Sequence, residues 1–225
     1  MNEKMDIMLY LIMLVIPLLA QFYVMSNYNK YKKVEIKKRL SGFEVARKIL
    51  DENGLEKIHV VETKGKLSDH YDPSRKVIRL SHEVFHGETI SAASIAAHEV
   101  GHAIQDKEGY LYMRIRSLIF PIVKIGTQLS YIILVIGFLS EAMGLIQLGI
   151  GLVALGLIFQ LVTLPVEFNA SSRAKKELNK LSLIGDDEEV GVKSVLGAAA
   201  MTYVAGVLTS LIELVRLILI YGNRD

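Results

Sequence analysis

Two histidines and a glutamate stand in a spacing that suits metal-dependent hydrolysis, in the run His98-Glu99-Val100-Gly101-His102. A helix turns about 100° per residue, so side chains four positions apart project from one face, about one turn apart. Two imidazoles placed in this way can bind one tetrahedral zinc ion, and Glu99 can act as general base toward a metal-bound water. The alternative is a solvated helix face that happens to carry two His and a Glu.

The residues around the motif favour the metal site. Residues 91–105 are rich in Ala, Ile and Val and predict a mostly buried helix. Buried His and Glu are rare unless they are paired or bind a metal. Gly101 costs the helix about 1 kcal/mol relative to Ala, and a small residue there would let another segment approach the metal closely. The chain contains no Cys, so zinc would have to use His and carboxylate ligands.

The composition predicts membrane spans that alternate with polar segments. The 225 residues are 51% hydrophobic, with a mean hydropathy of +0.34, yet 22% are charged. A net charge of +2 gives no reason to propose a nucleic-acid partner. Four apolar runs are about as long as a bilayer crossing requires, and they cover residues 6–25, 117–139, 144–164 and 195–221. For the first run a signal peptide is the alternative, but basic residues follow the run rather than precede it, which favours a retained anchor.

These runs predict five successive segments. They are an N-terminal membrane anchor helix (1–25), the cytoplasmic part of a catalytic domain with the HExxH helix (26–116), a transmembrane hairpin (117–164), a cytoplasmic helix (165–194), and a fourth transmembrane helix with a tail (195–225). Residues 26–116 contain 17 Lys and Arg and residues 167–195 contain five, whereas the hairpin loop 140–143 contains none and the two ends contribute Lys4 and Arg224. The positive-inside rule therefore places both polar segments in the cytoplasm.

Within residues 26–116 the pattern predicts a small α+β domain. A helix should run from Ser41 to Gly54, with strands at 57–62 and 76–80 and a turn at 69–74. The strand at 76–80 comes just before the HExxH helix. We therefore hypothesise that it is an edge strand to which an extended substrate adds by backbone pairing.

A third zinc ligand is needed, because catalytic zinc usually has three protein ligands and a water. The best candidate is Glu167, just after the third span, where Pro165 can open a helix. The hairpin returns the chain to the same membrane face, so Glu167 can meet His98 and His102. The alternative is that Glu167 is a solvated first-turn residue favoured by the helix dipole. The spacing alone does not decide between the two.

The motif, a following pair of spans and the run Glu167-Phe168-Asn169-Ala170-Ser171 together resemble the gluzincin membrane proteases, which include the CAAX-prenyl endopeptidases and the heat-shock membrane proteases. Within that group the chain is more similar to the bacterial neutral zinc membrane metallopeptidases. The residues that carry this similarity are Asp69-His70-Tyr71-Asp72-Pro73, Ala97–Ala103, and Phe168–Ser171 with Arg173-Ala174.

The resemblance covers nearly the whole chain and implies specific roles. It implies Zn²⁺ as cofactor, with His98, His102 and Glu167 as ligands and Glu99 as general base. One departure concerns Ser171, because the larger group usually has Asp at that position, where it orients a zinc-bound His. A hydroxyl can still accept an imidazole N–H there, as a weaker and uncharged partner.

We therefore predict a mainly α membrane protein, with about four transmembrane helices and a small α+β zincin-like cytoplasmic catalytic domain. Its expected activity is peptide-bond hydrolysis at the cytoplasmic face of the cell membrane, on a peptide or membrane-protein substrate. The tetrahedral oxyanion needs a donor besides zinc; His70, Tyr71 and Arg173 are the candidates, and Arg173 and His70 are preferred. The alternatives are that Arg173 pairs with a carboxylate and that His70 caps a turn. His82 and His86 are predicted to be surface residues, since no spacing links them to His98 and His102.

Two other functions are weaker readings of the sequence. A membrane adaptor or scaffold with a structural zinc site would need four protein ligands, and a glutamate beside the first ligand has no purpose in such a closed site. A transporter is disfavoured because the spans carry few charges, namely Lys124, Glu213 and Arg216, and no clear repeat. Glu213 and Arg216 are three residues apart, so they can form an intrahelical pair. Nothing in the sequence indicates a particular oligomeric state.

Overall fold

The computed structural model of the protein describes residues 3–222, and Arg224 lies outside the described residues, as do positions 1, 2, 223 and 225. The described chain is mainly helical, with a three-stranded sheet. Its elements, in chain order, are α1 (Glu3–Tyr31), α2 (Gly42–Glu52), β1 (His59–Thr63), β2 (His70–Asp72), β3 (Val77–Ser81), α3 (His82–His86), α4 (Ile90–Glu108), α5 (Leu111–Leu139), α6 (Met143–Lys180), a 3₁₀ turn (Asp186–Glu188) and α7 (Glu189–Gly222).

The chain forms two compact units. Within the described residues, the helical unit consists of residues 3–21, 114–165 and 202–222, and the α+β unit consists of residues 22–113 and 166–201. Every predicted site residue belongs to the α+β unit. Its core is one apolar cluster with members from α2, β3, α4, the end of α6 and the start of α7.

The sheet of the α+β unit has the order β1-β3-β2, with β1 parallel and β2 antiparallel to β3. The hypothesis that the strand at 76–80 is an edge strand is therefore wrong, because β3 is central and pairs on both sides. The reason lies in the segment predicted only as a turn. Its first residues form β2, and Asp72 Oδ1 then accepts the backbone N–H groups of Ser74 and Arg75, which closes a tight hairpin into β3.

The helix predicted between Ser41 and Gly54 is confirmed as α2. Ser41 and Glu44 form a capping box, in which the Ser41 side chain accepts the Glu44 N–H and the Glu44 carboxylate accepts the Ser41 N–H. This reciprocal arrangement satisfies two backbone donors that a helix start would otherwise leave unpaired. Apolar residues such as Ile49 and Leu50 are fully buried against the unit's core.

Four helices are long and apolar enough to cross a membrane, and they contain the four predicted apolar runs: α1, α5, α6 and α7. The structure differs from the prediction at Pro165, which lies inside α6 rather than at the start of a new helix. Proline removes only one backbone N–H, and a helix continues past it when the neighbouring turns are held on both sides. At 38 residues, α6 is about 57 Å long, well beyond the roughly 30 Å of a bilayer core.

Two of the charges within the apolar helices, Glu213 and Arg216, are paired. The predicted contact between Arg216 and Glu213 is confirmed, with Nη1 3.4 Å from the carboxylate. The Arg216 guanidinium also donates to Asp6 of α1, at 2.6 Å, and to the Tyr10 hydroxyl. Charges among apolar helices are costly unless they are paired in this way, so the pairing lets α7 keep a buried guanidinium.

Candidate metal centre

Helix α4 presents the HExxH residues from a buried scaffold. The Thr89 side chain caps its first turn by accepting the Ala92 N–H, and Gly109 ends it with a left-handed φ of 64°. Within residues 91–105, all but Ile95 and His98 are buried, as the sequence predicted. The imidazoles of His98 and His102 lie side by side, with ring centroids 4.8 Å apart and planes at 87°.

Glu167 joins these two histidines from α6. Its Oε2 lies 3.3 Å from His98 Nε2 and 3.5 Å from His102 Nε2, and one ligand atom of each of the three residues lies within 4.8 Å of the others. With metal–ligand bonds of about 2.0–2.1 Å, ligand atoms at the corners of a tetrahedron are about 3.4 Å apart. The three side chains therefore have the donor types and the spacing that fit one zinc ion.

The alternative interpretation of Glu167, as a solvated residue in a first helical turn, is wrong. Glu167 is 2% exposed, and it follows more than five turns of continuous helix. A buried carboxylate needs compensating positive charge or hydrogen-bond donors. Two imidazoles and a cation between them would provide this compensation.

Gly101 lets α4 and α6 approach each other closely beside this group. A Cβ atom at Gly101 would lie 2.6 Å from the carbonyl oxygen of Ala170, which is closer than side chains pack. Ala170 is three residues after Glu167 on the same helix. The prediction that a small residue at 101 admits another segment is therefore confirmed, and that segment is the one that carries Glu167.

The outward-facing nitrogen of His98 is also engaged. Its Nδ1 lies 3.1 Å from Ser171 Oγ, and when the hydroxyl accepts the Nδ1 proton, the Nε2 lone pair is on the Glu167 side. The hydroxyl thus stands where the resemblance expects an orienting Asp. It lacks a negative charge, so it holds the ring without raising its basicity as a carboxylate would.

His102 is oriented by Gln105, whose role sequence reasoning missed. His102 Nδ1 donates to Gln105 Oε1 at 3.0 Å, while Gln105 Nε2 donates to the Val166 carbonyl and to Asn169 Oδ1. Gln105 is fully buried, and the two amide donors fix which end of its side chain faces His102. The sequence did contain a signal for this role, since a Gln one turn after His102 interrupts an otherwise apolar run.

The chain is similar to proteins described as zinc metallopeptidases and membrane proteases. The model of a protein family described as "Putative neutral zinc metallopeptidase" matches residues 6–222. The chain is also 50% identical over 207 residues, which is 92% of each chain, to the "Putative membrane protease YugP" of Bacillus subtilis (strain 168). No solved structure matches it.

The chain belongs to the neutral zinc metallopeptidase family. Enzymes of this description use zinc to hydrolyse peptide bonds, so the family gives the cofactor, Zn²⁺, and the substrate class, peptides. The donor set on α4 and α6 fits that ion, because two imidazoles and a carboxylate suit zinc.

In this metallopeptidase Glu99 is buried directly beside the candidate ligands. It is 8% exposed. Burial raises the pKa of the Glu99 carboxyl, while the imidazoles of His98 and His102 partly oppose that rise. A carboxylate with a raised pKa is a better proton acceptor near neutral pH than a solvated one.

Arg173 and His70, the two preferred candidate oxyanion donors, have partners outside the group of candidate ligands. Arg173 donates to Asn169 Oδ1 at 2.7 Å and pairs with Glu108 at 2.6 Å, as the alternative for this residue anticipated. His70 is exposed on β2, with Nδ1 2.8 Å from the Ser68 carbonyl oxygen. Neither belongs to the group of ligand atoms around Glu167.

We expect Gln105→Leu to weaken zinc binding about 10–100-fold, because His102 would lose the partner that sets its tautomer and orientation. Competition with a chromophoric chelator would measure the zinc affinity, and thermal unfolding of the zinc-free protein would report on folding. Gln160→Leu is the matched control, since this Gln on α6 also donates to another side chain, Ser210, in the helical unit. Unchanged zinc affinity in Gln105→Leu would contradict the orienting role.

Proposed function

We propose that this metallopeptidase is a membrane-embedded zinc endopeptidase, in which His98, His102 and Glu167 hold the ion and Glu99 is the general base. The observation that carries the proposal is the convergence of two imidazoles and a buried carboxylate from separate helices, within 4.8 Å of one another. The arrangement also supports the relation to the gluzincin membrane proteases and a zincin-like catalytic domain.

Zinc bound by these residues would acidify a water molecule and polarise the scissile carbonyl. Glu99 lies in the same helical turn as His98 and His102 but is outside the ligand group, so its carboxylate is free to take the proton from that water. Glu99 would then deliver the proton to the amine of the leaving peptide. Its burial keeps bulk water from competing for the proton.

The neighbouring residues position this machinery. Ser171 and Gln105 hold the His98 and His102 rings with both Nε2 atoms facing Glu167. Because Arg173 binds Asn169, and Asn169 binds Gln105, Arg173 extends the support of His102 by one more step. Its contacts favour this supporting role over that of oxyanion donor. His70, on an edge strand, keeps its role as a candidate oxyanion donor.

An open site is favoured over the closed site of an adaptor. A structural zinc needs four protein ligands, whereas the group around Glu167 contains three of the described residues. Asp72, His70 and His86 have side chains that could donate a fourth ligand, but they are not members of that group. Three protein ligands would leave a fourth coordination position for a water or a substrate carbonyl.

We place the active site on the cytoplasmic side of a multi-pass cell-membrane protein. The polar segments that carry His98, His102 and Glu167 hold most of the Lys and Arg residues, which the positive-inside rule assigns to the cytoplasm. The four apolar helices then alternate in direction across the bilayer. Substrates would be peptides or membrane proteins that reach this face.

The proposal predicts zinc-dependent hydrolysis of peptides by the full-length protein in detergent. Removing the tightly held zinc with 1,10-phenanthroline should abolish cleavage of an unbiased peptide library, and stoichiometric zinc should restore it. The isomer 1,7-phenanthroline, which does not chelate, is the control. Mass spectrometry of the fragments would identify the bonds cut. Cleavage that persists after the zinc has been removed would contradict the proposal.

A further inference from the structure

A second cluster of metal-binding side chains lies on the surface of the α+β unit. It consists of Glu62, His82 and His86, all exposed, and one ligand atom of each lies within 4.8 Å of the others. Glu62 Oε1 is 2.8 Å from His82 Nδ1, and Glu62 Oε2 is 3.0 Å from His86 Nε2. None of the three residues takes part in the centre around Glu167.

The fold accounts for this convergence. Strands β1 and β3 are parallel, and Glu62 pairs in register with Leu80. Helix α3 begins at His82, two residues after Leu80, so it starts beside the end of β1. His82 and His86 are four residues apart on that helix, and their ring centroids are 4.8 Å apart. This is the same spacing and ring separation as in the His98 and His102 pair.

The predicted exposure of His82 and His86 is confirmed, but the two residues are linked to each other through Glu62. Within residues 3–222, the ion-pair partners of Glu62 are these two imidazoles. No Lys or Arg in that range pairs with its carboxylate. Exposed pairs of this kind are weak. A cation that binds all three side chains would therefore replace only these weak pairs.

We propose that Glu62, His82 and His86 bind a second divalent transition-metal ion. Two imidazoles and one carboxylate favour Zn²⁺, Ni²⁺ or Cu²⁺ over Mg²⁺ and Ca²⁺, which prefer oxygen ligands alone. Because the cluster is open to solvent, water completes its coordination. The ion there binds more weakly and exchanges faster than one held by the buried centre.

A metal ion bound by this cluster would link the end of β1 to α3. Both elements belong to the α+β unit, and Glu62 is followed by the loop that leads to β2. A ligand that binds only the folded state stabilises that state by mass action. Added zinc should therefore raise the unfolding temperature further after the buried centre is already filled.

The test is equilibrium dialysis of the full-length protein in detergent against ⁶⁵Zn²⁺. The wild type should bind one equivalent tightly and a second, weaker one. His82→Asn/His86→Asn and, separately, Glu62→Gln should keep the first and lower the affinity for the second at least about a hundredfold, more than the loss of an outer-shell partner costs. Peptide cleavage at the buried centre should be unchanged.

His59→Asn is the matched control, because His59 is exposed on the same strand as Glu62 but is not a member of the cluster. This variant should bind both equivalents like the wild type. Retention of the first, tight equivalent by the cluster variants shows that they are folded. The proposal is overturned if the wild type binds no second equivalent up to millimolar zinc, if the cluster variants bind it unchanged, or if His59→Asn loses it as well.

Discussion

Glu99→Gln should retain zinc and lose peptide hydrolysis by at least about 10²–10⁴-fold, the range that a positioned general base contributes. Glu99 lies outside the group of candidate ligands, so its replacement leaves the metal donors in place. Gln has nearly the same volume but cannot accept and return a proton. Because burial already raises the pKa of Glu99, a neutral side chain should not destabilise the fold.

The measurement is kcat/KM for one identified peptide, together with zinc content and the unfolding temperature of the same preparation. Glu99→Asp keeps a carboxylate on a shorter arm, so it should have activity between those of the wild type and the Gln variant. Glu52→Gln, at the exposed end of α2, controls for the loss of one negative charge. Wild-type turnover by Glu99→Gln would show that another group carries the proton.

Glu167→Gln should remove the tightly bound zinc and activity together. A neutral amide is a poor zinc ligand, and the two remaining imidazoles are held by a single helix. We expect the zinc affinity to fall by more than the roughly 10–100-fold that the loss of an outer-shell partner costs. Equilibrium competition with a chelator would give the affinity, and the unfolding temperature without zinc would show whether the fold persists.

The chain offers a close control for this variant. Glu177 is also buried and lies ten residues further along α6, where its carboxylate accepts a hydrogen bond from Asn53. Glu177→Gln removes a buried charge from the same helix without touching the zinc donors, so the zinc affinity should stay near the wild-type value. If Glu167→Gln bound zinc as tightly as Glu177→Gln, the third ligand would have to be another residue.

Local patterns predicted the elements that their own sequence determines. Ser41 and Glu44 fix the start of α2, and the Ala-rich run around His98 is buried as α4. The position of Glu167 after the third apolar run was also visible. Its burial was not, because a Pro two residues earlier is as compatible with a helix start as with a helix interior.

Contacts between separate elements could not be predicted from the sequence. The partners of Gln105 and Arg173 depend on the register of α4 against α6, which Gly101 and Ala170 set through main-chain contact. The central place of β3 depends on β2, a strand of only three residues within an apparent turn. The link between Glu62 and the His82 and His86 pair likewise needs the parallel pairing of β1 with β3.

The contact between Gly101 and Ala170 has a consequence for the position of the metal donors. A Cβ atom at residue 101 would lie 2.6 Å from the Ala170 carbonyl oxygen, so the distance between α4 and α6 at this point depends on Gly101 having no side chain. Because His98 and His102 lie on α4 and Glu167 lies on α6, a larger residue at 101 would move the carboxylate away from the two imidazoles. The spacing of the three donor groups therefore depends on a residue that itself binds nothing.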